Sequence, residues 1–361
     1  MENARMKVVT KFDESMIGVK GLLDSGIKST PLIFVHPPDQ YSGLNATTTM
    51  HGEIPVIDFS DMNISNNRRS EIIDQIKEAS STWGVFQIIN HGIPEIVIDE
   101  VISSVRFFHE QPNEIKNMYY VPSNKNKYYG ESQCFSFISN TDIYLSKAAS
   151  WRDTLKLVVG PDLPLIEKIP EICRKGLMGW ANHGTLFGEK LIELMCEGLG
   201  VRPGKLKEMR CTESRLLLGQ FYPYCPQPDL TADQIGGLQV KRENLWVNVA
   251  PIEGAITVNV GDFFQIISND NYKSVEHRVL ANRSAESRIS VPLLFHPAGV
   301  SNVDDDSGYY GPLPELLSAE NPARYKVFTL AEFWKQNQSK AICSKNLTNA
   351  FSIVRDDDNS S

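Results

Sequence analysis

The chain lacks paired cysteines, long apolar runs and any basic block. Its 6 cysteines, at positions 134, 173, 196, 211, 225 and 343, show no Cys-x-x-Cys spacing, which argues against a zinc site or a disulfide framework. They read as reduced packing residues. No apolar stretch approaches the length needed to span a bilayer, and the opening residues MENARMKVVTKFDE contain no apolar signal core. A soluble cytoplasmic protein is the expectation, in which sequons such as Asn45-Ala46-Thr47 carry no weight. With 36 Lys and Arg against 44 Asp and Glu, the net charge of −8 makes nucleic acid and anionic membrane poor partners.

What is present is core-forming material: 41% of 361 residues are apolar, enough for a large interior. Residues 1–52 mix charge with Gly, Pro, Ser and Thr and read as an extension, in which FDESMIGVKGLLDSGI has helical spacing before FVHPPDQ breaks it. Residues 53–165 open with a strand, IPVIDFS, and a helix, RRSEIIDQIKEASSTW, capped by Asn66 or Asn67 and inward-facing through Ile72, Ile73, Ile76 and Ala79. Gly84 closes that helix; VFQIINHGI is a buried strand, and Pro94 opens the helix PEIVIDEVISSVRFFHE. Residues 113–165 look irregular and aromatic, with Tyr119, Tyr120, Tyr128, Tyr129, Phe135, Phe137, Tyr144 and Trp151 suited to packing a long loop.

A segment 166–212 holds one long helix over 170–200, on which His183 has no partner at i+4 and takes a structural role. In 213–300, RLLLGQFYPYCPQP is a strand entering a Pro-rich turn. IGGLQV and LWVNVAP make a hairpin about KREN, with Leu238, Val240, Trp246 and Val249 assigned to the core. Residues 301–361 give an acidic loop, NVDDDSG, then helical cover over LPELLSAENPARYKVFTLAEFWKQN, then a disordered acidic end.

The stretch from Gly254 to Pro297 carries the candidate chemistry. Val275, His277 and Val279 alternate with Ser274, Glu276 and Arg278, so a period of two turns His277 inward with the valines. An inward imidazole needs a partner for each nitrogen; a metal with a second acceptor supplies them, and so do backbone groups around a core histidine. Arg288 and Ser290, two apart on RISVPLLF, share a face where a guanidinium fork beside a hydroxyl suits a carboxylate. A small acid near His277 is implied.

GDFFQIISND, YKSVEHRVLANR, RIS and, far upstream, WGVFQIINHGIP resemble the plant iron(II)/2-oxoglutarate-dependent dioxygenases. Within them the chain is most similar to the aminocyclopropane-carboxylate oxidase homologues and the alkaloid hydroxylases and demethylases. Its first residues differ from aminocyclopropane-carboxylate oxidase itself, so ethylene formation is not expected. The resemblance implies an α+β fold with a double-stranded β-helix (jelly-roll, cupin-like) core flanked by helices. It also implies iron(II) and 2-oxoglutarate as cofactors, with ascorbate an option as reductant. His277 falls where the family has an iron ligand, and Arg288 and Ser290 where it binds the far carboxylate of 2-oxoglutarate. Tyr222 falls where a tyrosine bonds the same acid, while Gln220 replaces the usual Asn. The family's residues matching 113–165 contribute to the substrate entrance, and its residue matching His91 lies in a turn. The implied activity is hydroxylation, desaturation or demethylation of a small apolar plant metabolite, by a monomer.

One part of the pattern is absent. The family's other two metal ligands form a His-x-Asp pair between a Pro-x-Cys-Pro-Gln-Pro turn and Ile-Gly-Gly-Leu-Gln-Val. Here that interval is only Asp229-Leu230-Thr231-Ala232-Asp233-Gln234, and none of the 7 histidines is followed two residues later by Asp. His51-Gly52-Glu53, the sole His-x-Glu, lies in the extension, and Asp229 and Asp233 are the only carboxylates nearby. One core strand and two of the three iron ligands are therefore expected to be missing, leaving His277. Pro292 adds a second departure by removing a ladder donor inside the Arg288 strand, so a bulge or an edge is expected there. Three readings follow: an active dioxygenase, a catalytically inactive relative that binds a small acid or a partner protein, or a splice form or gene-model error of an active enzyme.

Overall fold

In the computed structural model the described residues are 2–35, 53–123 apart from 63, 134–140, 143, 144, 146–228, 237–243, 245–297, 308–343 and 347–353. His51, Tyr128, Tyr129, Asp229, Asp233, most of the acidic loop and the acidic end lie outside them.

The chain begins with helices α1 (Glu2–Ser15) and α2 (Gly18–Asp24), which are docked on the body rather than trailing from it. Val9, Phe12, Val19 and Phe34 are buried in one cluster with Trp151 and Cys225. Two buried carboxylates fasten this segment. Asp13 accepts hydrogen bonds from the hydroxyls of Tyr120 (2.7 Å) and Tyr144 (2.9 Å) and from the Ser123 amide (2.9 Å). Asp153 accepts the first amides of α2, from Val19 (2.8 Å) and Lys20 (2.9 Å), and so caps that helix from 134 residues away.

Strand β1 (Val56–Asp58) leads to helix α3 (Asn66–Thr82) and the parallel neighbour β2 (Val85–Ile89). The cap of α3 is Ser65, not Asn66 or Asn67: its extended backbone leaves the hydroxyl free to accept the Arg68 amide at 3.2 Å, while both asparagines already lie in the first turn. Gly84 ends the helix at φ +67°, its amide donating to Ala79 O at 2.9 Å, and a Cβ there would come within 2.2 Å of Lys273 O. Pro94 then precedes α4 (Glu95–Glu110), followed by the single turn α5 (Asn113–Lys116).

The region expected to be irregular supplies two strands, β3 (Phe135–Ile138) and β4 (Asp153–Gly160). Tyr120, Phe135, Phe137 and Trp151 are buried there, so these aromatics pack the core. Helix α6 (Glu171–Gly198) is the long helix foreseen, and the turn α7 (Lys205–Glu208) leads into β5 (Ser214–Tyr222). After it come the hairpin β6 (Leu238–Arg242) and β7 (Leu245–Asn248), β8 (Ile256–Asn259), the short helix α8 (Asp262–Ile267), β9 (His277–Val279), β10 (Arg288–Ser290) and β11 (Leu293–His296). Between β5 and β6 the described residues contain no further strand.

Three sheets result from this order. β1, β2 and β8 form one, β7, β6 and β9 a second, and β3, β4 and β5 a third that β10 and β11 both extend along β5. In the hairpin the core positions are Val240, Val247 and Val249, packed with Ile54 and Val85, and Leu238 is half-buried against them. Trp246 lies on the other face, opposite Lys241, with the Arg278 guanidinium 4.0 Å from its ring centre. Alternation along β7 cannot bury both Val247 and Trp246 in one core.

Strand alternation also sorts the five-stranded sheet. Leu155, Leu157, Leu217, Phe221 and Ile289 turn to its back, against Val101, Val105 and Phe108 of α4 and Leu177 of α6. Backbones approach closely there, since a Cβ on Gly219 would lie 2.7 Å from Val105. The front face carries Thr154, Lys156, Gln220, Tyr222, Arg288 and Ser290 together with Leu216 and Leu218. At the end of the chain, the run read as helical cover is helical in a single turn at Pro314–Leu316 and from Leu330 in α9 (Leu330–Cys343); between them β13 (Phe328–Thr329) pairs with the preceding β12 (Tyr309–Tyr310), and α10 (Leu347–Phe351) follows. Phe328 and Phe351 hold these pieces together, ring centres 4.5 Å apart.

Candidate functional site

The front of the five-stranded sheet brings the expected acid-binding residues together through backbone register. Arg288 stands opposite Tyr222, and Ser290 opposite Gln220. Because directly paired residues in an antiparallel ladder project to the same side, all four share one face. The Arg288 guanidinium carbon lies 5.1 Å from the Tyr222 ring centre. The Tyr222 hydroxyl donates to Gln220 Oε1, which also accepts from Arg152 Nη1 at 3.1 Å. Asn282 steadies the approach to β10, donating to the carbonyls of Tyr222 (3.2 Å) and Glu286 (2.6 Å).

Pro292 leaves this register intact. Arg288 pairs with Tyr222 and Leu293 with Leu217, so no residue is inserted between them. The Leu218 amide still donates to Pro292 O at 3.0 Å, and only the reciprocal bond is lost. β10 and β11 have β5 as their one strand neighbour among the described residues, so of the two expected outcomes the edge is the one found.

This arrangement fits a carboxylate on a structural ground. Arg288 Nη1 is buried and meets no hydrogen-bond partner among the described residues. A buried guanidinium N–H without an acceptor costs several kcal/mol as a rule of magnitude, on the order of 1–3 for the lost bond alone. A bound carboxylate would remove that cost.

His277 is differently placed. It pairs with Val240 on β6, so it does share a face with the core valines, as alternation implied. Yet the residue is exposed, and its Nδ1 lies 3.3 Å from Val275 O, a long contact for a hydrogen bond. Period-two alternation gives the side of a sheet; it does not say whether anything covers that side. Nor do other ligands converge: among the described residues no three His, Cys, Asp or Glu side chains could hold one metal ion. The donor set of the described residues therefore does not fit an iron centre of two imidazoles and a carboxylate.

The remaining candidates take structural roles. His91 Nε2 meets Gly254 O at 2.7 Å and its Nδ1 accepts the Ile93 amide at 3.1 Å, which fixes a turn. Burial pushes the thiols of Cys173 and Cys211 up to about 12 and that of Cys196 up to about 11, so they stay protonated and are poor ligands.

Two residues of the same front face have no counterpart in the sequence-based list. Arg152 reaches Gln220, and Lys156 stands opposite Leu218 with only 7% of its surface exposed. Burial holds the Lys156 ammonium down to about 8. The signal lay in TLKLVV, where Thr154 and Lys156 alternate with Leu155 and Leu157.

Known proteins bear on this arrangement. A family model described as the N-terminal region of non-haem dioxygenases in morphine synthesis matches residues 54–172, and one for the 2OG-Fe(II) oxygenase superfamily matches residues 213–297. The chain is 42% identical over 340 residues to 1-aminocyclopropane-1-carboxylate oxidase homolog 6 of Arabidopsis thaliana, covering 89% of this chain and 91% of that one. To deacetoxyvindoline 4-hydroxylase of Catharanthus roseus it is 40% identical over 352 residues, with 92% and 85% covered. A crystal structure of JOX2 in complex with 2OG, Fe and JA superposes with a TM-score of 0.73 at 25% identity, over 93% of this chain and 98% of that one.

Proposed function

The chain belongs to the 2OG-Fe(II) oxygenase superfamily, in its plant branch with a jelly-roll core, and from that premise we propose that it binds 2-oxoglutarate on the front of the five-stranded sheet. Iron(II) and 2-oxoglutarate are the cofactors of that family. Arg288 takes the far carboxylate, Ser290 and Tyr222 flank it with hydroxyl groups, and Gln220 holds Tyr222 in place. The observation that carries this reading is the buried Arg288 Nη1 lacking an acceptor, in a register that puts both hydroxyl residues beside it. 2-Oxoglutarate supplies a two-electron reductant when it is decarboxylated. The reaction class that goes with membership is hydroxylation, desaturation or demethylation of a small apolar metabolite. A monomer in the cytoplasm, with no nucleic-acid partner, accords with the net charge of −8 and the scattered free thiols.

A narrower reading has its own observation. One exposed imidazole, with no second ligand beside it among the described residues, is a weak hold on iron, and the same clamp without iron is a keto-acid-binding protein. Titration calorimetry with 2-oxoglutarate, followed by iron(II) loading and a succinate assay, separates the two. We expect saturable 2-oxoglutarate binding, less than one iron per chain and no succinate. Stoichiometric iron with succinate release would restore the full oxidation, and absence of 2-oxoglutarate binding would remove both readings.

A further inference from the structure

One proton of the clamp is already engaged before any keto acid arrives. Gln220 and Tyr222 stand two apart on β5 and share its front face. Along a strand that spacing is about 7 Å, a gap that a glutamine amide and a phenol close toward each other, and the Tyr222 hydroxyl donates to Gln220 Oε1. A third residue fixes the direction of this bond. Arg152 Nη1 meets the same oxygen at 3.1 Å, and a guanidinium can only donate. The oxygen end of the amide therefore faces both groups, and Tyr222 has to be the donor.

A phenol carries one proton and otherwise only lone pairs. With that proton on Gln220, Tyr222 has nothing to donate to a carboxylate held by Arg288 and Ser290, and an ionised carboxylate has no proton of its own to offer. The Tyr222 ring serves separately: its centre lies 5.1 Å from the Arg288 guanidinium carbon, a contact that needs no hydroxyl. A hydrogen bond to a carboxylate is roughly twice as strong as one between neutral groups, so a bound keto acid draws the proton over. It does so by breaking the bond to Gln220. The amide oxygen still accepts from Arg152 when that happens, so it is not left bare. What binding forfeits is one neutral hydrogen bond, about fivefold in an equilibrium constant.

We propose that Gln220 is a positioning residue that competes with the keto acid for the single proton of Tyr222, and so holds the 2-oxoglutarate affinity of the clamp below what its donors allow. The inference rests on the reading of Arg288, Ser290 and Tyr222 as the keto-acid clamp. The bond that steadies Tyr222 in the empty site is the bond that occupancy has to break. Removing the amide should therefore strengthen binding, and only while Tyr222 keeps its hydroxyl. A residue that merely supported the ring would give the opposite sign.

The test is a double-mutant cycle on the full-length protein, read as 2-oxoglutarate affinity by titration calorimetry. Gln220→Leu removes the acceptor at similar volume, and Tyr222→Phe keeps the ring beside Arg288 while removing the proton. We expect Gln220→Leu to bind 2-oxoglutarate about fivefold more tightly than wild type, and the same substitution to change affinity by less than about twofold in the Tyr222→Phe background. Thermal melts confirm that each variant is folded; if Gln220→Leu is not, Gln220→Asn, which draws the amide back by one methylene, is read in its place for the same gain. Weaker or unchanged binding by Gln220→Leu would overturn the proposal, leaving the amide as a plain support for the ring. A gain that persists in full with Tyr222→Phe would also overturn it, by assigning the effect to the Arg152 donor released from Gln220. If neither wild type nor Gln220→Leu binds 2-oxoglutarate, the clamp reading fails and takes the competition with it; an additive cycle on a protein that does bind fails the competition alone.

Discussion

Two regions of this molecule were built to different standards. On the five-stranded sheet, β5 and β10 hold Tyr222, Gln220, Arg288 and Ser290 in register, with a packed back face under α4 and α6. On the three-stranded sheet β7-β6-β9, His277 heads a strand of three residues with its ring in solvent. The difference follows from coverage. The first sheet buries apolar side chains on one face and can therefore carry charge on the other. The second has its valines covered by Ile54 and Val85, while among the described residues His277 stays exposed. The proposed co-substrate positions lie on the packed sheet, and among the described residues no second ligand stands beside His277.

Four measurements can break or sharpen this contrast. The largest effect expected is from Lys156→Met. Burial lowers the Lys156 ammonium from 10.5 to about 8, so between those values the unfolded chain holds the extra proton and stability rises with pH through that window. Below pH 8 both states are protonated and the full penalty is present. The variant should exceed wild type at pH 7 by on the order of 3 kcal/mol, the gap closing toward pH 10.5, in urea melts at several pH values. A gap that does not change with pH would mean the ligand face carries no such cost.

Arg288→Gln should weaken 2-oxoglutarate about a hundredfold, roughly 2.7 kcal/mol, with little change in melting temperature. An unchanged affinity would erase the distinction between the two sheets. Trp246→Ala removes the ring under Arg278 and should cost about 1 kcal/mol, showing that the hairpin sheet is held on its outer face as well as by its valines. Smallest of all, His277→Ala should alter stability by less than about 0.5 kcal/mol and leave iron-free 2-oxoglutarate binding within twofold. A larger loss in either would show that the exposed imidazole is part of a built site.

Much of the fold was legible because its signals are local. Pro94 and Gly84 bracket β2 as their backbone preferences dictate, and the apolar spacing of α3, α4 and α6 marks the helices that cover the sheets. The Ser65 cap escaped notice because Ser, Asn and Asn stand in a row and only the backbone conformation chooses among them. Arg288 and Ser290 were legible through alternation, and their pairing with Tyr222 and Gln220 was supplied by the fold. β4 was hidden by the aromatic residues around it, and with it went Arg152 and Lys156. His277 shows the converse: its side of the strand was readable from periodicity, while its exposure depends on what the rest of the chain places over it.

The docking of the first helices sets a schedule for folding. Val19 and Lys20 need the carboxylate of Asp153, Arg5 needs carbonyls at Ile143 and Ser146, and the Thr30 amide needs the side chain of Gln227, 197 residues later. At 5–20 residues per second, ribosomal synthesis takes roughly 10–40 s to cover that last interval. The part of the chain made first thus waits for partners made much later, and the burial of Val9, Phe12 and Phe34 is completed only once Trp151, Cys225 and Ala281 have been made.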